Sequence, residues 1–342
     1  MMRSKAIIAV IGATALLALA AGNLHAQQKP VVWKFGHIFS VPKTLFDDVA
    51  MKEYPERIGK ASKGLVKIEV VQGIVNPGNM FEALADGRIQ MGSVIPAAVS
   101  ATHPRWAVLG LPGVLDKDAD YPSVARDVVW PHVDAEMKRR WRGTIVNMGA
   151  FTGTLFFSPA SVGPIDRIEK FKGLKYRSHS VDVSRLIETM GGAPVGLPFT
   201  ELYSSMERRL VDAYTSATNA VLGTGLFEVT KYAEDWPSGH GLWFYVVSED
   251  ALKPLPADIR KAVLDEFALI QRDLSQRQLA ETAKSIEDLK AKGMQFIVVP
   301  EAEKQKARDM ARKVVWTNWL ERTGPEGRTL LINVLKTQGK TL

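Results

Sequence analysis

The amino-acid sequence predicts a two-domain α/β fold with one unusually long helix near the C-terminus. Its 342 residues, of which 46% are hydrophobic, are enough for about two packed domains. Strand-like and helix-like segments alternate along most of the chain, which is typical of parallel α/β sheets. Residues 257–292 contain neither Gly nor Pro, and this predicts a single uninterrupted helix.

The N-terminal segment is predicted to be a signal peptide. Arg3 and Lys5 precede a run of small and apolar residues from Ala6 to Ala21, and Ala26 offers a small-residue cleavage site. The run is short for a membrane span, which needs about 20 apolar residues. We therefore expect residues 1–26 to be removed and the remainder to be a soluble protein of the periplasm. An uncleaved membrane anchor is the alternative.

The first predicted unit is a strand–helix–strand–helix–strand pattern. Its strands combine β-branched residues with an alternation of apolar and polar side chains. Asn76 followed by Pro77 is a typical helix start, and Gly87 is a typical stop. The predicted strands are 31–36, 65–71 and 90–95, and the predicted helices are 45–61 and 77–85.

A second set of elements follows a helix predicted over residues 118–141. Short apolar segments alternate again with helical patterns, and Thr200 is a candidate N-cap. The last strand of this part, 240–247, is predicted to return to the first unit. The other predicted strands are 144–148, 154–158, 174–177, 193–196 and 211–216, with a helix over 183–190.

The long helix decides the predicted domain organisation. Apolar residues recur three or four positions apart over 257–292, and 36 residues at 1.5 Å each give a rod of roughly 50 Å. Such a rod is either a coiled-coil arm or a brace across two domains, and the interrupted apolar face favours the brace. The predicted domains are 27–152 with 243–282, and 153–242 with 283–342.

Several classes of chemistry have no signal in the sequence. There is no cysteine, so thiolate nucleophiles, disulfides and thiolate metal sites are excluded. Dinucleotide and P-loop motifs, HExxH and GxSxG are missing, and the His residues lack metal-ligand spacing.

Residues 116–120 resemble a calcium loop but have Tyr121 where Gly is needed. Residues 178–182 contain Ser, His and Asp, but adjacency does not make a triad. The net charge of +7 is too small for a chain of 342 residues to indicate nucleic-acid binding. We expect no enzyme activity, cofactor or metal.

A secreted two-domain α/β protein without catalytic motifs suggests capture of a small solute between the domains. Arg177 ends the predicted strand 174–177, and the carboxyl ends of strands in open α/β sheets face the ligand crevice. An arginine can bind a carboxylate with two parallel hydrogen bonds and stays charged. Arg177 is therefore the leading candidate for binding an anionic ligand, with a surface arginine as the alternative.

The sequence around Arg177 resembles a known family. Residues 171–177 read FKGLKYR, similar to the DLKGLKIR signature of solute-binding proteins of TRAP (tripartite ATP-independent periplasmic) transporters. Further segments match in family order over most of the chain. They are 82–92 (EALADGRIQMG), 109–112 (LGLP), 190–195 (MGGAPV), 197–203 (LPFTELY) and 210–213 (LVDA).

The resemblance implies a type II-like periplasmic-binding-protein fold, with the ligand cleft between the domains and the long helix bridging both. It implies that Arg177 pairs with the ligand carboxylate and that Phe199 lines the cleft. The family's second polar position, four residues past Asp212, is Ser216 here, and the nearest asparagine is Asn219.

Other pocket residues are expected from the opposite domain. His37 and Phe39 follow the first strand and would face the cleft, although His37 is alternatively a structural histidine. Trp106 and Trp243 are either pocket aromatics or core residues. Sialic acid is not expected, because Pro159 stands where sialic acid-binding members carry a second arginine.

The resemblance implies a function in transport. The protein is expected to capture an organic acid and to deliver it to the membrane components of a TRAP transporter, acting as a monomer without nucleic acid. The alternatives are a periplasmic ligand receptor for a sensor kinase and a periplasmic enzyme acting on an organic acid. C4-dicarboxylates, sugar acids, hydroxy or keto acids and aromatic acids all remain open as ligands.

Overall fold

Two β-sheets organise the chain. The computed structural model describes residues 29–115, 120–151 and 153–342. The predicted signal peptide and nearly all of the calcium-loop candidate at 116–120 lie outside the described residues. In the part that is described, no helix is both long and apolar enough to cross a bilayer.

The first sheet has five strands and takes one of its interior strands from far along the chain. Its strands are β1 (Val31–His37), β2 (Val66–Gln72), β3 (Met91–Val94), β4 (Gly143–Phe151) and β10 (Gly241–Ser248). Their order is β2-β1-β3-β10-β4, with β1 parallel to β2 and β3 and with β10 antiparallel to β3 and β4. The prediction that the strand at 240–247 returns to the first unit is confirmed.

The second sheet has six strands in the order β11-β9-β5-β8-β6-β7. β6 runs parallel to both of its neighbours, so its carboxyl end lies at the same edge as theirs. The two outermost strands on one side, β9 and β11, were not predicted. The strands are β5 (Thr154–Ser158), β6 (Lys175–Arg177), β7 (Ala193–Val195), β8 (Ala213–Ala217), β9 (Tyr232–Glu234) and β11 (Gln295–Ile297).

Helices pack on both sheets. Pro122 stands in the first turn of its helix, where no backbone donor is lost, whereas Pro131 lies inside the same continuous helix, just after the π-helical segment Ala125–Val129. Thr200 lies inside a 3-10 turn, Phe199–Glu201, so its prediction as an N-cap was wrong. The helices are α1 (45–61), α2 (Met80–Ala85), α3 (121–141), α4 (Val181–Thr189), α5 (Leu202–Glu207), α6 (Thr218–Gly223), α7 (Glu249–Leu252), α8 (Ala257–Ala291), α9 (301–316) and α10 (Thr317–Thr337).

The long helix α8 braces the two sheets, as predicted. It spans 35 residues, about 50 Å, and packs against β4 of the first sheet and against α6, which follows β8 of the second. The carboxylate of Glu281 accepts hydrogen bonds from the backbone N–H of Leu45 at 2.6 Å and from Asn219 Nδ2 at 2.9 Å. One side chain of the helix thus links the start of α1 to α6.

The C-terminal helices also contact both parts of the molecule. Residues 311–316 of α9 pack on α4, and α10 packs on α3 and on the 3-10 segment Pro104–Gly110. The exact domain boundaries given above stay a prediction. The two tryptophans offered as possible pocket aromatics, Trp106 and Trp243, are core residues with at most 1% of their surface exposed.

Two glutamines of α8 cover the free edge of β4. The side-chain oxygen of Gln271 accepts from Met148 N at 2.7 Å, and that of Gln278 accepts from Ala150 N at 2.8 Å. Gln271 Nε2 also donates to Met148 O at 2.9 Å. The helix therefore satisfies edge-strand backbone groups that a sixth strand would otherwise pair with.

Replacing Gln278 with leucine is expected to lower the free energy of unfolding by about 1–3 kcal/mol, because the buried N–H of Ala150 loses its acceptor. Urea unfolding followed by circular dichroism measures the loss. Gln276→Leu is the matched control, since Gln276 is exposed on the same helix. Equal unfolding midpoints for the two variants would contradict the proposed role of Gln278.

Candidate functional site

A cavity of about 640 Å³ lies between the two sheets. Loops that follow β1, β2 and β3 approach it from one side, and loops that follow β6, β7 and β8 approach it from the other. The carboxyl ends of parallel strands meet at one edge of a sheet, and both sheets direct that edge toward the cavity. This is the position predicted for the ligand cleft.

Arg177 enters the cavity from the end of β6. The preceding residue, Tyr176, anchors the strand in the core by stacking on Phe171 with ring centroids 5.0 Å apart. Arg177 Nε donates to Leu197 O at 3.3 Å, and Nη1 donates to Thr215 O at 3.2 Å. These two bonds use neutral acceptors on neighbouring strand ends and fix the orientation of the guanidinium group.

The charge of Arg177 is not neutralised by the protein. Its side chain is 7% exposed, and no carboxylate among the described residues forms an ion pair with it. Burial lowers the pKa of Arg177 to about 10, so the group remains a cation at neutral pH. A guanidinium carries five N–H donors, and only two are used here by described partners. A buried cation with free donors is suited to bind an anion.

His179 also lines the cavity, two residues beyond Arg177. Its Nδ1 shares a 2.8 Å hydrogen bond with Thr215 Oγ1, while its buried Nε2 has no partner among the described residues. Burial, helped by the charge of Arg177, lowers the pKa of His179 to about 3. The imidazole is therefore neutral and offers the cavity one uncharged hydrogen-bonding atom.

The Ser–His–Asp sequence at 178–182 does not form a catalytic relay. Ser178 Oγ is bonded to Ser184 Oγ at 2.5 Å and to the backbone of Ser180. Asp182 pairs with Arg322 of α10 instead of with His179. Ser180 is instead the N-cap of α4, because its side chain accepts from the N–H of Val183 at 3.2 Å.

Phe39 and Phe199 bring the two walls of the cavity into contact. Phe39 follows β1 and Phe199 follows β7, and their ring centroids are 5.6 Å apart with a 32° angle between the planes. The guanidinium of Arg177 lies 5.5 Å from the centre of the Phe199 ring. Ser216, at the end of β8, completes the predicted residues that line the cavity.

Two predicted site residues lie elsewhere. His37 is 1% exposed and is held by Ser93 Oγ at 3.1 Å and by Asp47 Oδ1 at 3.0 Å, so the structure favours the alternative of a structural histidine. Asn219 binds Glu281 of the long helix through Nδ2. Neither is among the described residues of the cavity wall. In this structure the side chains of both residues are therefore held by structural partners away from the described cavity wall.

Sequence reasoning missed part of the cavity wall. His179 was weighed only as a member of a hydrolase triad, and Asn76 only as a helix cap. His179 follows the predicted strand 174–177, and Asn76 lies in the loop after the predicted strand 65–71. Their positions beyond the carboxyl ends of parallel strands could have identified them as candidates for the cavity wall. The described residues contain no group of three or more His, Asp or Glu that could hold a metal ion.

Comparison with known proteins places this geometry in context. A family model described as "Bacterial extracellular solute-binding protein, family 7" matches residues 35–322. The C4-dicarboxylate-binding periplasmic protein DctP of Rhodobacter capsulatus is 26% identical over 339 residues, which cover 95% of this chain and 97% of that protein.

Solved structures share the fold. DctP7 of Bordetella pertussis, an extracytoplasmic solute receptor binding pyroglutamic acid, is similar with a TM-score of 0.80 and 17% identity, covering 90% of this chain and 99% of that one. A TRAP periplasmic solute-binding protein of Shewanella oneidensis with bound succinate is similar with a TM-score of 0.77 and 19% identity, with coverages of 90% and 99%. At these identities the likeness establishes the two-sheet fold with its bridging helix.

Proposed function

Because the chain belongs to the bacterial extracellular solute-binding protein family 7, we propose that it captures an organic acid in the cavity and delivers it to a TRAP-type transporter. The observation that carries the proposal is the buried guanidinium of Arg177, which lacks a carboxylate partner among the described residues. Two relatives are named as C4-dicarboxylate-binding periplasmic proteins. We place this protein in the periplasm as well, with residues 1–26 acting as a cleaved signal peptide.

Binding is proposed to proceed from the second sheet to the first. The carboxylate pairs with Arg177, and the wall formed by the loops after β1, β2 and β3 then closes over the ligand. Closure removes water, and this strengthens the ion pair because the local dielectric falls. The closed state is selected because the ligand then touches both walls. The membrane components of the transporter would recognise that state.

An enzyme acting on an organic acid is the weaker alternative. Among the described residues of the cavity wall, His179 is the only candidate for a base, and the hydroxyl that it is hydrogen-bonded to, Thr215 Oγ1, is not part of that wall. Family membership supports a receptor that releases its ligand unchanged.

The proposal is tested with acids and their uncharged amides. Unfolded and refolded protein, freed of carried-over ligand, is heated with phenylacetate, pyroglutamate or succinate, and in parallel with the corresponding amides. Ligand at 100 times its dissociation constant adds about 2.7 kcal/mol to the free energy of unfolding. We expect at least one acid to raise the melting temperature while its amide does not. Equal shifts from acid and amide, or no shift from any acid, would refute carboxylate capture.

A further inference from the structure

The described cavity wall carries charge of one sign only. Among the described residues that line it, Arg177 is the sole charged side chain, since His179 is neutral and no Lys, Asp or Glu is present. Two other guanidinium groups, those of Arg185 and Arg322, lie near Asp182, and neither residue is among the described residues of the wall; Arg322 binds Asp182 and the carbonyl of Ser100. The described cavity therefore offers one full positive charge.

The two walls of the cavity also differ in polarity. The wall that carries Arg177 has neutral polar groups around it, including Ser178, Ser180 and Ser216. The facing wall is apolar. Asn76 is the one polar side chain that its described loops contribute, and the remainder includes Ile38, Phe39, Val41, Ile95, Ala97 and Phe151.

This asymmetry determines which acids fit. A carboxylate bound to Arg177 directs the rest of the ligand toward the apolar wall. A second carboxylate there would lose its water without gaining a cation, and burial of an unpaired charge is strongly unfavourable. The volume of about 640 Å³ also lies within the range that holds ligands with a ring or branched chain.

We propose that the cavity selects monocarboxylates with an apolar body, aromatic or branched, and rejects dicarboxylates. This inference rests on the proposed function, because it requires that Arg177 binds a carboxylate. It separates the protein from the relatives whose names specify C4-dicarboxylates and from the similar structure that contains succinate.

Two matched pairs of ligands test the selectivity by isothermal titration calorimetry. 4-Methylphenylacetate is compared with 4-carboxyphenylacetate, and 4-methylpentanoate with 2-methylglutarate. In each pair one methyl group is replaced by a carboxylate. We expect the diacid to bind at least about 30-fold more weakly than its monoacid. Succinate is included as a small diacid and is expected to bind more weakly than both monoacids.

A variant with a second cation tests the cause of the selectivity. Asn76 is exposed and its side chain makes no hydrogen bond with the described residues, so substitution is not expected to disturb the fold. Asn76→Arg should reduce the ratio of monoacid affinity to diacid affinity about 10-fold. Asn76→Gln adds length without charge and should leave that ratio unchanged. An unchanged affinity ratio in folded Asn76→Arg would contradict the charge argument.

The outcomes distinguish the two proposals. If the diacids, or succinate, bind as tightly as or more tightly than the monoacids while the amides do not bind, the monocarboxylate inference is overturned and carboxylate capture stands. If no acid binds, or amides bind equally well, the proposed function itself fails and this inference fails with it.

Discussion

Replacing Arg177 with methionine is expected to weaken the binding of organic acids by at least about 30-fold while the protein stays folded. The guanidinium is 7% exposed and unpaired with any described carboxylate, so a bound carboxylate would be its main ionic partner. Truncating one partner of a buried charge pair typically costs 2–5 kcal/mol, which corresponds to about a 30- to 5,000-fold loss of affinity. Calorimetric titration with the best acid from the screen measures the loss.

Two further variants show whether the effect is specific to this guanidinium. Arg177→Lys keeps the charge but loses the planar fork, so we expect an intermediate loss of about 10-fold. Lys175→Met removes an exposed cation from the same strand. This variant should therefore bind the acid with the same affinity as the unmodified protein. Circular dichroism and melting temperature report folding, and the lysine variant remains informative if the methionine variant is unstable. Unchanged affinity in Arg177→Met would refute the assigned role.

Replacing Gly149 with alanine is expected to destabilise the protein by about 3 kcal/mol or more. Gly149 of β4 lies directly opposite Trp243 of β10, and a Cβ atom built on it would stand 2.1 Å from Cζ2 of the indole. The indole has no space to retreat, because it packs against Phe46 at 5.6 Å and Tyr245 at 5.1 Å between ring centroids. Overpacking of this kind forces the backbone or the rings to shift.

Gly78→Ala is the matched control for this prediction. Gly78 has no heavy atom within 4 Å of the position that its Cβ would take, so the free energy of unfolding should change by less than about 0.5 kcal/mol. Urea unfolding monitored by tryptophan fluorescence compares the two variants. Equal midpoints would show that the strand pair β4–β10 can relax around the added methyl group.

Local signals in the sequence predicted much of the fold. The helix 257–292 could be recognised because it contains no Gly or Pro, and the structure ends it at Ala291. β9 and β11 were not predicted, whereas β6 and β7, which are equally short, were expected from the alternation of strand-like and helix-like segments around them. The existence of β9 and β11 depends on pairing with each other and with β5, which is a property of the whole fold.

The site was predictable to a similar extent. Arg177, Phe199, Ser216 and Phe39 line the cavity because a residue that follows a parallel strand is placed at the ligand edge. The direction of a side chain at that edge is set by tertiary partners. His37 turns toward Ser93 and Asp47, and Asn219 turns toward Glu281, and none of these partners is adjacent in sequence. The apolar character of the facing wall required the structure, since it combines loops from distant segments.

The position of β10 has a consequence for how the chain acquires its structure. β3 and β4 do not pair with each other but with β10, and the outer edge of β4 is covered by α8, which comes later still. A chain that emerges N-terminus first can pair β3 with β1, but it leaves the other edge of β3 and the whole of β4 unpaired until residues 241–248 are available. Such long-range pairing makes folding slow and exposes aggregation-prone edges in the meantime. A chain truncated before Gly241 would lack β10 and could not complete the first sheet. The two sheets should therefore fold and unfold together.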